Sequence, residues 1–286
     1  MKMKDKVFKI LLFCSAALIL AICAAVVYSL TTGALPAFRT FGFFKFIITD
    51  GWTVTEGAES YGALSFITGT LMTSVIALLL CIPFSFPVAL FTGEYFNGTK
   101  VANVLNGMVD LLAGIPSIVY GLWGFYLIRP MMVSLGLSQQ GFGILTASMV
   151  LAIMIIPYAS SLSGEFIRMV PSDIKEAAYS MGATRAKMIR HVVLPSASSG
   201  IISAYVLALG RALGETMAVT MLIGNTNGIP HGLTDTGNTM ASIIANQFGE
   251  ATGLKLSSLI AIGLVLFLIT AVINFIGRLI IKRNMR

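Results

Sequence analysis

A positive and a negative side chain lie inside an otherwise apolar stretch of this sequence. Arg211 and Glu215 fall near the centre of residues 196–224. A charge at the centre of a membrane-spanning helix costs about 2.5–3.5 kcal/mol on insertion scales. A spacing of four residues puts both side chains on one face of a helix, where they can pair. The pair is either a structural link between helices, or Arg211 faces water and binds an oxyanion while Glu215 weakens its hold.

A second candidate group lies where Pro116 interrupts another apolar stretch. Proline removes a backbone donor and strains the turn before it. Broken helices are tolerated at membrane depth where they line a cavity or are buried in protein. Ser117 and Tyr120 follow this break and would offer hydroxyl groups to such a cavity. The glycines between residues 114 and 124 are equally typical of tight helix packing, so both interpretations stay open.

The common enzyme signatures are missing from the sequence. It has no Gly-x-x-x-x-Gly-Lys-Ser/Thr loop for nucleotide, no HExxH metal motif and no Gly-x-Ser-x-Gly elbow. The three cysteines and two histidines show no metal-ligand spacing. We therefore expect no catalytic residue, no metal, no cofactor and no ATPase activity in this chain.

Composition indicates that lipid is the solvent for most of the chain. The sequence is 56% apolar and 11% charged, whereas soluble domains are about 25% charged. The net charge of +7 does not indicate nucleic-acid binding, because the basic residues form short clusters between apolar runs. We predict an all-α polytopic transmembrane bundle. Six stretches are long enough to span, at roughly 8–31, 64–92, 101–128, 142–163, 196–224 and 254–281.

The distribution of lysine and arginine predicts the orientation. With the N-terminus inside, fourteen of the nineteen basic residues lie in cytoplasmic segments and four lie outside. This bias places both termini in the cytoplasm. The first stretch is longer than a signal peptide, so we expect a retained anchor. The basic residues assigned to the cytoplasm are Lys2, Lys4, Lys6, Lys9, Lys100, Arg168, Lys175, Arg185, Lys187, Arg190, Arg278, Lys282, Arg283 and Arg286.

The longest predicted cytoplasmic segment, 164–195, contains signals for two short helices. Ser172 or Asp173 can cap the first, and with Asp173 as cap a glutamate falls at the third position, as in a capping box. Gly182 is placed to end that helix in a left-handed turn. Thr184 can cap the second helix, which would place Met188, Ile189, Val192 and Val193 on one face.

This segment resembles the EAA loop of ABC importer permeases. It gives Glu176-Ala177-Ala178, then Gly182 at the family spacing, then a Val192-Val193-Leu194-Pro195 ending in which Val192 replaces the usual isoleucine. The resemblance implies the type I ABC importer permease fold. It also implies that this loop is a coupling helix, seated in a groove of a separate ATP-binding subunit and including Glu176, Ala177, Ala178, Gly182, Leu194 and Pro195.

Three further runs, 61–71, 114–124 and 211–218, resemble phosphate importer permeases, and the last is more similar to the PstC type than to the PstA type. In that family the arginine and glutamate of the last run are implicated in phosphate passage, which here implies Arg211 and Glu215. The resemblance implies three partners: a second permease of the PstA type, a dimer of ATP-binding subunits and an extracytoplasmic phosphate-binding protein. We divide the chain into an N-terminal anchor with its outer loop, 1–60, and an importer domain, 61–281. The alternatives are a permease for sulfate or molybdate, or an anion transporter that works without ATP.

Overall fold

The computed structural model describes residues 2–53 and 59–284, and the side chains of 7–53 and 59–282. Arg286 lies outside the described residues, as do the side chains of Lys2, Lys4, Lys6 and Arg283. The described part is almost entirely helical, with one two-stranded hairpin. Its elements are α1 Lys2–Phe41, α2 Phe43–Ile48, β1 Trp52–Thr53, β2 Ser60–Tyr61, α3 Leu64–Leu90, α4 Lys100–Ala113, α5 Ser117–Trp123, α6 Arg129–Ser134, α7 Ile144–Arg168, α8 Ser172–Ser180, α9 Arg185–Met188, α10 Leu194–Leu213, α11 Met217–Thr220, α12 Met240–Gln247 and α13 Gly253–Asn284.

Within residues 2–53 and 59–284, five helical stretches are long and apolar enough to cross a membrane, and a sixth candidate is a bent pair. The all-α polytopic fold is therefore confirmed. Wide π-helical turns extend α3 through 91–95 and join α9 to α10 through 189–193. The five stretches are Val7–Phe41, Leu64–Tyr95, Ile144–Arg168, Arg185–Leu213 and Gly253–Lys282.

The third predicted span, 101–128, is not one straight helix. Helix α4 ends at Ala113, α5 begins at Ser117, and the two parts are bent by 90°. Pro116 stands immediately before α5 with an extended ψ of 141°. Because proline has no N–H and clashes with the preceding turn, the helix cannot continue through it. The two parts form either one broken span or a re-entrant loop.

The fifth predicted span, 196–224, is shifted along the chain. Its helix begins at Arg185, eleven residues earlier, and ends at Leu213 before a break at Gly214. Pro195 does not mark the entry to this span, because a π-helical turn at 189–193 carries the helix up to it. In this π-helical turn the Leu194 N–H donates to the Ile189 carbonyl. The next residue, Pro195, has no N–H to donate.

Helix α7 is the centre of the bundle. It packs against α3, α10 and α4, and two thirds of its most apolar window is buried within the chain. Serines supply several of its contacts, since Ser148 Oγ donates to the Thr73 carbonyl of α3 at 3.1 Å. A second apolar cluster joins α1 to α13, and a third lies beneath α8 and α9.

The segment 225–253 closes one end of the bundle. The amides of Ile144 and Leu145, at the start of α7, donate to the carbonyls of Asp235 and Leu233 at 2.9 and 2.8 Å. The loop therefore satisfies donors that a helix start leaves unpaired. It also crosses α3 at Gly69, where a Cβ would overlap the Asn238 carbonyl oxygen.

An aromatic stretch after α1 forms the short helix α2. Phe46 is buried, whereas Phe44 and Ile48 are exposed. Trp52 of the hairpin donates from Nε1 to Gln247 Oε1 at 2.9 Å, which ties this region to the end of α12. Residues 54–58 of the predicted outer loop lie outside the described residues.

Candidate functional site: the exposed elbow and the charged break

Residues 172–188 form the predicted helical elbow. Helix α8 ends at Gly182, which has a left-handed φ of +78°. The Ala183 N–H donates to the Ala178 carbonyl at 3.1 Å. This is the six-residue hydrogen bond of a Schellman motif at the end of a helix. Thr184 then caps α9 by accepting from the Lys187 N–H at 3.4 Å. These two sequence predictions are confirmed.

The predicted capping box at the start of α8 is wrong. The helix begins at Ser172, so Pro171 occupies the cap position and no side chain caps the end. Asp173 lies in the first turn, where its carboxylate is still favourable to the helix dipole. The fixed φ of Pro171 sets the entry to the helix in place of a side-chain cap.

The elbow is bound to Glu94 and Tyr95, at the end of the helical stretch that continues α3. Lys175 of α8 and Glu94 form an ion pair of 2.6 Å, the sole ion pair within the described residues, and the Glu94 side chain is only 9% exposed. On the other side of Gly182, Arg185 donates to the Tyr95 carbonyl at 2.7 Å, and its guanidinium lies 4.7 Å from the Tyr95 ring centre. Residues 94 and 95 therefore hold both arms of the elbow.

One face of the elbow packs on the bundle. Met188, Ile189 and Val193 are buried as predicted, and Val192 is half-buried. Ala178 packs against the same apolar cluster, together with Leu194 at the start of α10. These small and branched side chains fix the elbow's position on the ends of α3, α7 and α10.

The opposite face of the elbow is exposed. Glu176, Ala177 and Pro195 are all solvent-accessible. Two large apolar side chains of α8, Ile174 and Tyr179, are also exposed, and Met181 is 89% exposed. Helix α8 contains no buried residue. An acidic, small and apolar surface on a rigid support is suited to docking against another protein.

The predicted pairing of Arg211 with Glu215 is wrong in this structure. Helix α10 ends at Leu213, so Glu215 follows the break and does not lie one turn beyond Arg211. Glu215 Oε1 instead accepts from the Ala218 N–H at 3.3 Å, at the start of α11. Arg211 is exposed in the last turn of α10, and it has no ion pair or hydrogen bond within the described residues.

The α4–α5 break lies against the segment that follows Glu215. A Cβ at Gly121 would lie 3.1 Å from Ala218 Cα and 2.8 Å from Met221 Sδ, so this glycine permits close helix packing. Tyr120 is 6% exposed and donates its hydroxyl to the Leu112 carbonyl at 2.8 Å, across the break. Its donor is therefore used to brace the bend and does not point freely into a path. Ser117 is half-buried at the start of α5.

Sequence reasoning missed two residues of this arrangement. Tyr158 of α7 has its ring centre 5.9 Å from the Arg211 guanidinium carbon, within the range of a cation–π contact. Glu94 binds Lys175 across 81 residues of sequence. Glu94 could have been noticed as an isolated acidic residue at the end of an apolar run. Nothing in the sequence, however, identifies Lys175 as its partner.

Comparison with known proteins identifies the family. Residues 85–286 match the model for the binding-protein-dependent transport system inner membrane component. This match covers more than half of the chain, so the protein belongs to that family, the permease subunits of ABC importers.

Within the family, the chain is similar to proteins named phosphate transport system permease protein PstC. It is 40% identical to the one from Pasteurella multocida, over 91% of this chain and 86% of the relative. It is also 40% identical to the one from Mesorhizobium japonicum, over 98% of this chain and 90% of the relative.

Two solved structures share the fold. One is the MetNI methionine ABC transporter in inward-facing conformations, with 20% identity, a TM-score of 0.61 and coverage of 77% of this chain and 94% of that chain. The other is a bacterial ABC transporter involved in the import of alginate, with 18% identity, a TM-score of 0.65 and coverage of 95% and 96%.

Proposed function

We propose that this protein is one of two permease subunits of an ATP-driven phosphate importer. The observation that carries the proposal is the exposed elbow, fixed on the bundle and continuous with a spanning helix. Its EAA spacing, and the roughly 40% identity to PstC proteins, support the importer class and the phosphate substrate. ATP hydrolysis is assigned to a separate dimer of ATP-binding subunits.

The proposed assembly has four kinds of subunit in a bacterial inner membrane. Residues 61–281 form the importer domain and 1–60 form an anchor with its outer loop. Both termini and the segment 164–195 face the cytoplasm, where the basic residues cluster. A PstA-type permease completes the pore, and a phosphate-binding protein delivers the ion to the outer surface.

The proposed coupling surface comprises the exposed face of α8 and the two ends of the elbow. Glu176, Ala177 and the apolar side chains around Met181 contact the ATP-binding subunit. Ala178 and Gly182 shape the elbow, whereas Leu194 and Pro195 join it to α10. When the ATPase dimer closes, displacement of the elbow moves α3 and α10 as rigid elements, and the bundle changes between inward-open and outward-open states.

Arg211 is proposed as the phosphate contact within the membrane. Its guanidinium is exposed, stacks on Tyr158 and has no carboxylate partner in the described part of the chain. A guanidinium can give an oxyanion two parallel hydrogen bonds. Glu215 and Ser117 flank the same region, and Tyr120 contributes by bracing the α4–α5 bend.

Copurification tests the coupling proposal. We expect the ATP-binding subunit to copurify with the wild-type chain and to be lost when Glu176→Lys is combined with Met181→Asp. The matched control is Arg190→Gln, which changes an exposed charge beyond the elbow. Retention of the ATP-binding subunit by the double variant would reject the docking role.

Uptake into vesicles that contain the purified complex tests the substrate. ATP-dependent uptake of labelled phosphate should be competed by unlabelled phosphate and resist sulfate and molybdate. Competition by sulfate or molybdate at equal concentration would contradict phosphate selectivity. Uptake without ATP would contradict the importer class.

A further inference from the structure

A groove with both polar and apolar lining runs between α10 and α13 near the end of the bundle that carries the elbow. It has a volume of about 580 Å³. Ser203 of α10 and Asn274 and Arg278 of α13 supply its polar lining, and Leu207 and Phe275 supply apolar walls. The two helices touch beside it at Gly277, where a Cβ would lie 2.5 Å from Val206 Cγ1.

The groove continues towards the elbow. A second recess of about 350 Å³ shares Ser203 and Ile281 with the first. Ser196 and Ser199 line this recess, and Pro171, directly before α8, lies at its border. The two recesses together therefore extend from the middle of α10 to the base of the elbow.

The first recess reaches Leu207, one helical turn before Arg211 on α10. Ser199, Ser203, Leu207 and Arg211 follow one another at intervals of four residues, so each lies one turn beyond the last. Asn274 lies close to the level of Gly210, since its Oδ1 is 3.7 Å from a Cβ built on Gly210. Asn274 and the serines therefore supply polar groups between Arg211 and the elbow, with the apolar Leu207 between Ser203 and Arg211.

The chemistry of this groove differs from that of the other surface grooves. One groove on α3 and α7 is lined only by apolar side chains such as Leu80, Phe84 and Met149. Such a lining is suited to lipid tails or a partner helix. Arg278 and Asn274 have no ion pair or hydrogen bond within the described residues. Arg278 lies at the cytoplasmic end of α13 in the predicted orientation, where an ion on its way to release would meet it. Ionisable side chains within spans almost always face a water-filled cavity or one another, and they mark ion pathways.

We propose that the α10–α13 groove is the elbow-side half of the phosphate path, and that Arg278 is a second residue that binds the ion before release. This inference rests on the proposed function. Phosphate leaves Arg211, passes the Asn274 amide, and forms charge-assisted hydrogen bonds with Arg278. With two arginines along the path, phosphate can pass from one guanidinium to the next. The ion is then not left without water or a hydrogen-bond donor between the two sites, which would cost free energy.

Thiol labelling of the assembled transporter tests whether the groove contains water. Ala271→Cys and Val272→Cys are introduced separately, after Cys14, Cys23 and Cys81 are changed to Ala. Both positions are exposed and adjacent on α13, but only Ala271 lines the groove. A charged, membrane-impermeant thiol reagent should label position 271 roughly tenfold faster or more, because the reactive thiolate forms in water. Equal rates at the two positions would overturn the proposal.

Transport by charge variants tests whether the ion contacts Arg278. Arg278→Gln should lower phosphate uptake about tenfold, the loss expected for one charge-assisted hydrogen bond. Lys282→Gln, which removes an exposed charge one turn later, should leave uptake unchanged. Arg278→Lys should recover part of the uptake. Normal uptake by Arg278→Gln, with less anionic phospholipid copurifying, would assign the groove to a lipid headgroup and reject the proposal.

The wild-type complex separates the two ways to fail. If it takes up no phosphate in the same vesicles when ATP and the phosphate-binding protein are supplied, the proposed function is wrong. If it takes up phosphate normally while positions 271 and 272 label equally, the function stands and the groove is not the path.

Discussion

Arg211 carries a charge that the protein leaves uncompensated within the described residues. Its guanidinium stacks on Tyr158, and Glu215 is engaged with the Ala218 N–H. Arg211 and Glu215 were both identified from the sequence, but the fact that they do not pair was not. A spacing of four residues brings two side chains together only if the helix continues through both. Helix α10 ends at Leu213, before Gly214, and the spacing alone does not record that end.

We predict that Arg211→Gln lowers phosphate uptake about tenfold or more while the complex assembles normally, since two charge-assisted hydrogen bonds are lost. Arg211→Lys should be intermediate, because it keeps the charge and loses the planar fork. Uptake by the purified complex in vesicles measures the effect. An uptake equal to that of the wild type would make Arg211 a structural residue.

Gly182 is needed for its backbone conformation alone. Its φ is +78°, and a Cβ there would meet nothing within 4 Å. Gly182→Val should therefore strain the elbow by about 1–2 kcal/mol and reduce ATP-coupled uptake, whereas Gly182→Asn should be tolerated. The control is Gly98→Val, at φ +77° with equally open surroundings. Loss of coupling in the Gly98 variant and not in the Gly182 variant would contradict the prediction.

At the scale of elements, α8 depends on its neighbours. It has nine residues, none of them buried, and isolated helices of this length are marginal in water. The ion pair of Lys175 with Glu94 and the contacts of Arg185 hold it in place. The sequence predicted the elbow well because Gly182 and Thr184 act locally. It could not predict the fastening to residues 94 and 95, because pairing across 81 residues is a tertiary event.

Removing the ion pair should loosen α8. We predict that Glu94→Gln speeds hydrogen exchange of the α8 amides about fivefold, which corresponds to about 1 kcal/mol, with no change in α7. The exchanged pair Glu94→Lys with Lys175→Glu should restore part of the protection. Unchanged exchange in Glu94→Gln would show that the apolar cluster alone holds the helix.

At the scale of the whole molecule, the spans were predictable and their interruptions were less so. Long apolar runs fix where a chain must cross lipid, so α3, α7 and α13 lie where the sequence placed them. The spanning stretch of α1 begins as predicted but continues to Phe41, ten residues beyond the predicted end at residue 31. Pro116 signalled a break, but the 90° bend depends on how α5 packs against α11 and α7. The groove between α10 and α13 was invisible in the sequence, because its polar residues come from two distant helices.

The loop that crosses α3 is a global constraint on the bundle. We predict that Gly69→Ala lowers the thermal midpoint of the purified protein, because the added Cβ overlaps the Asn238 carbonyl and costs roughly 1–3 kcal/mol. Gly107→Ala, within α4 and without neighbours, should be neutral or slightly stabilising. Equal midpoints for the two variants would show that the loop yields without cost.

The double attachment of the elbow has a mechanical consequence. Lys175 and Arg185 lie on opposite sides of Gly182, and both end on the last residues of the α3 stretch. A sideways push on α8 is therefore not absorbed by flexing at the glycine. It is delivered to α3 and, through the unbroken helix 185–213, to α10. A displacement of the elbow is therefore expected to act both on the helix that carries Gly69 and on the helix that carries Arg211.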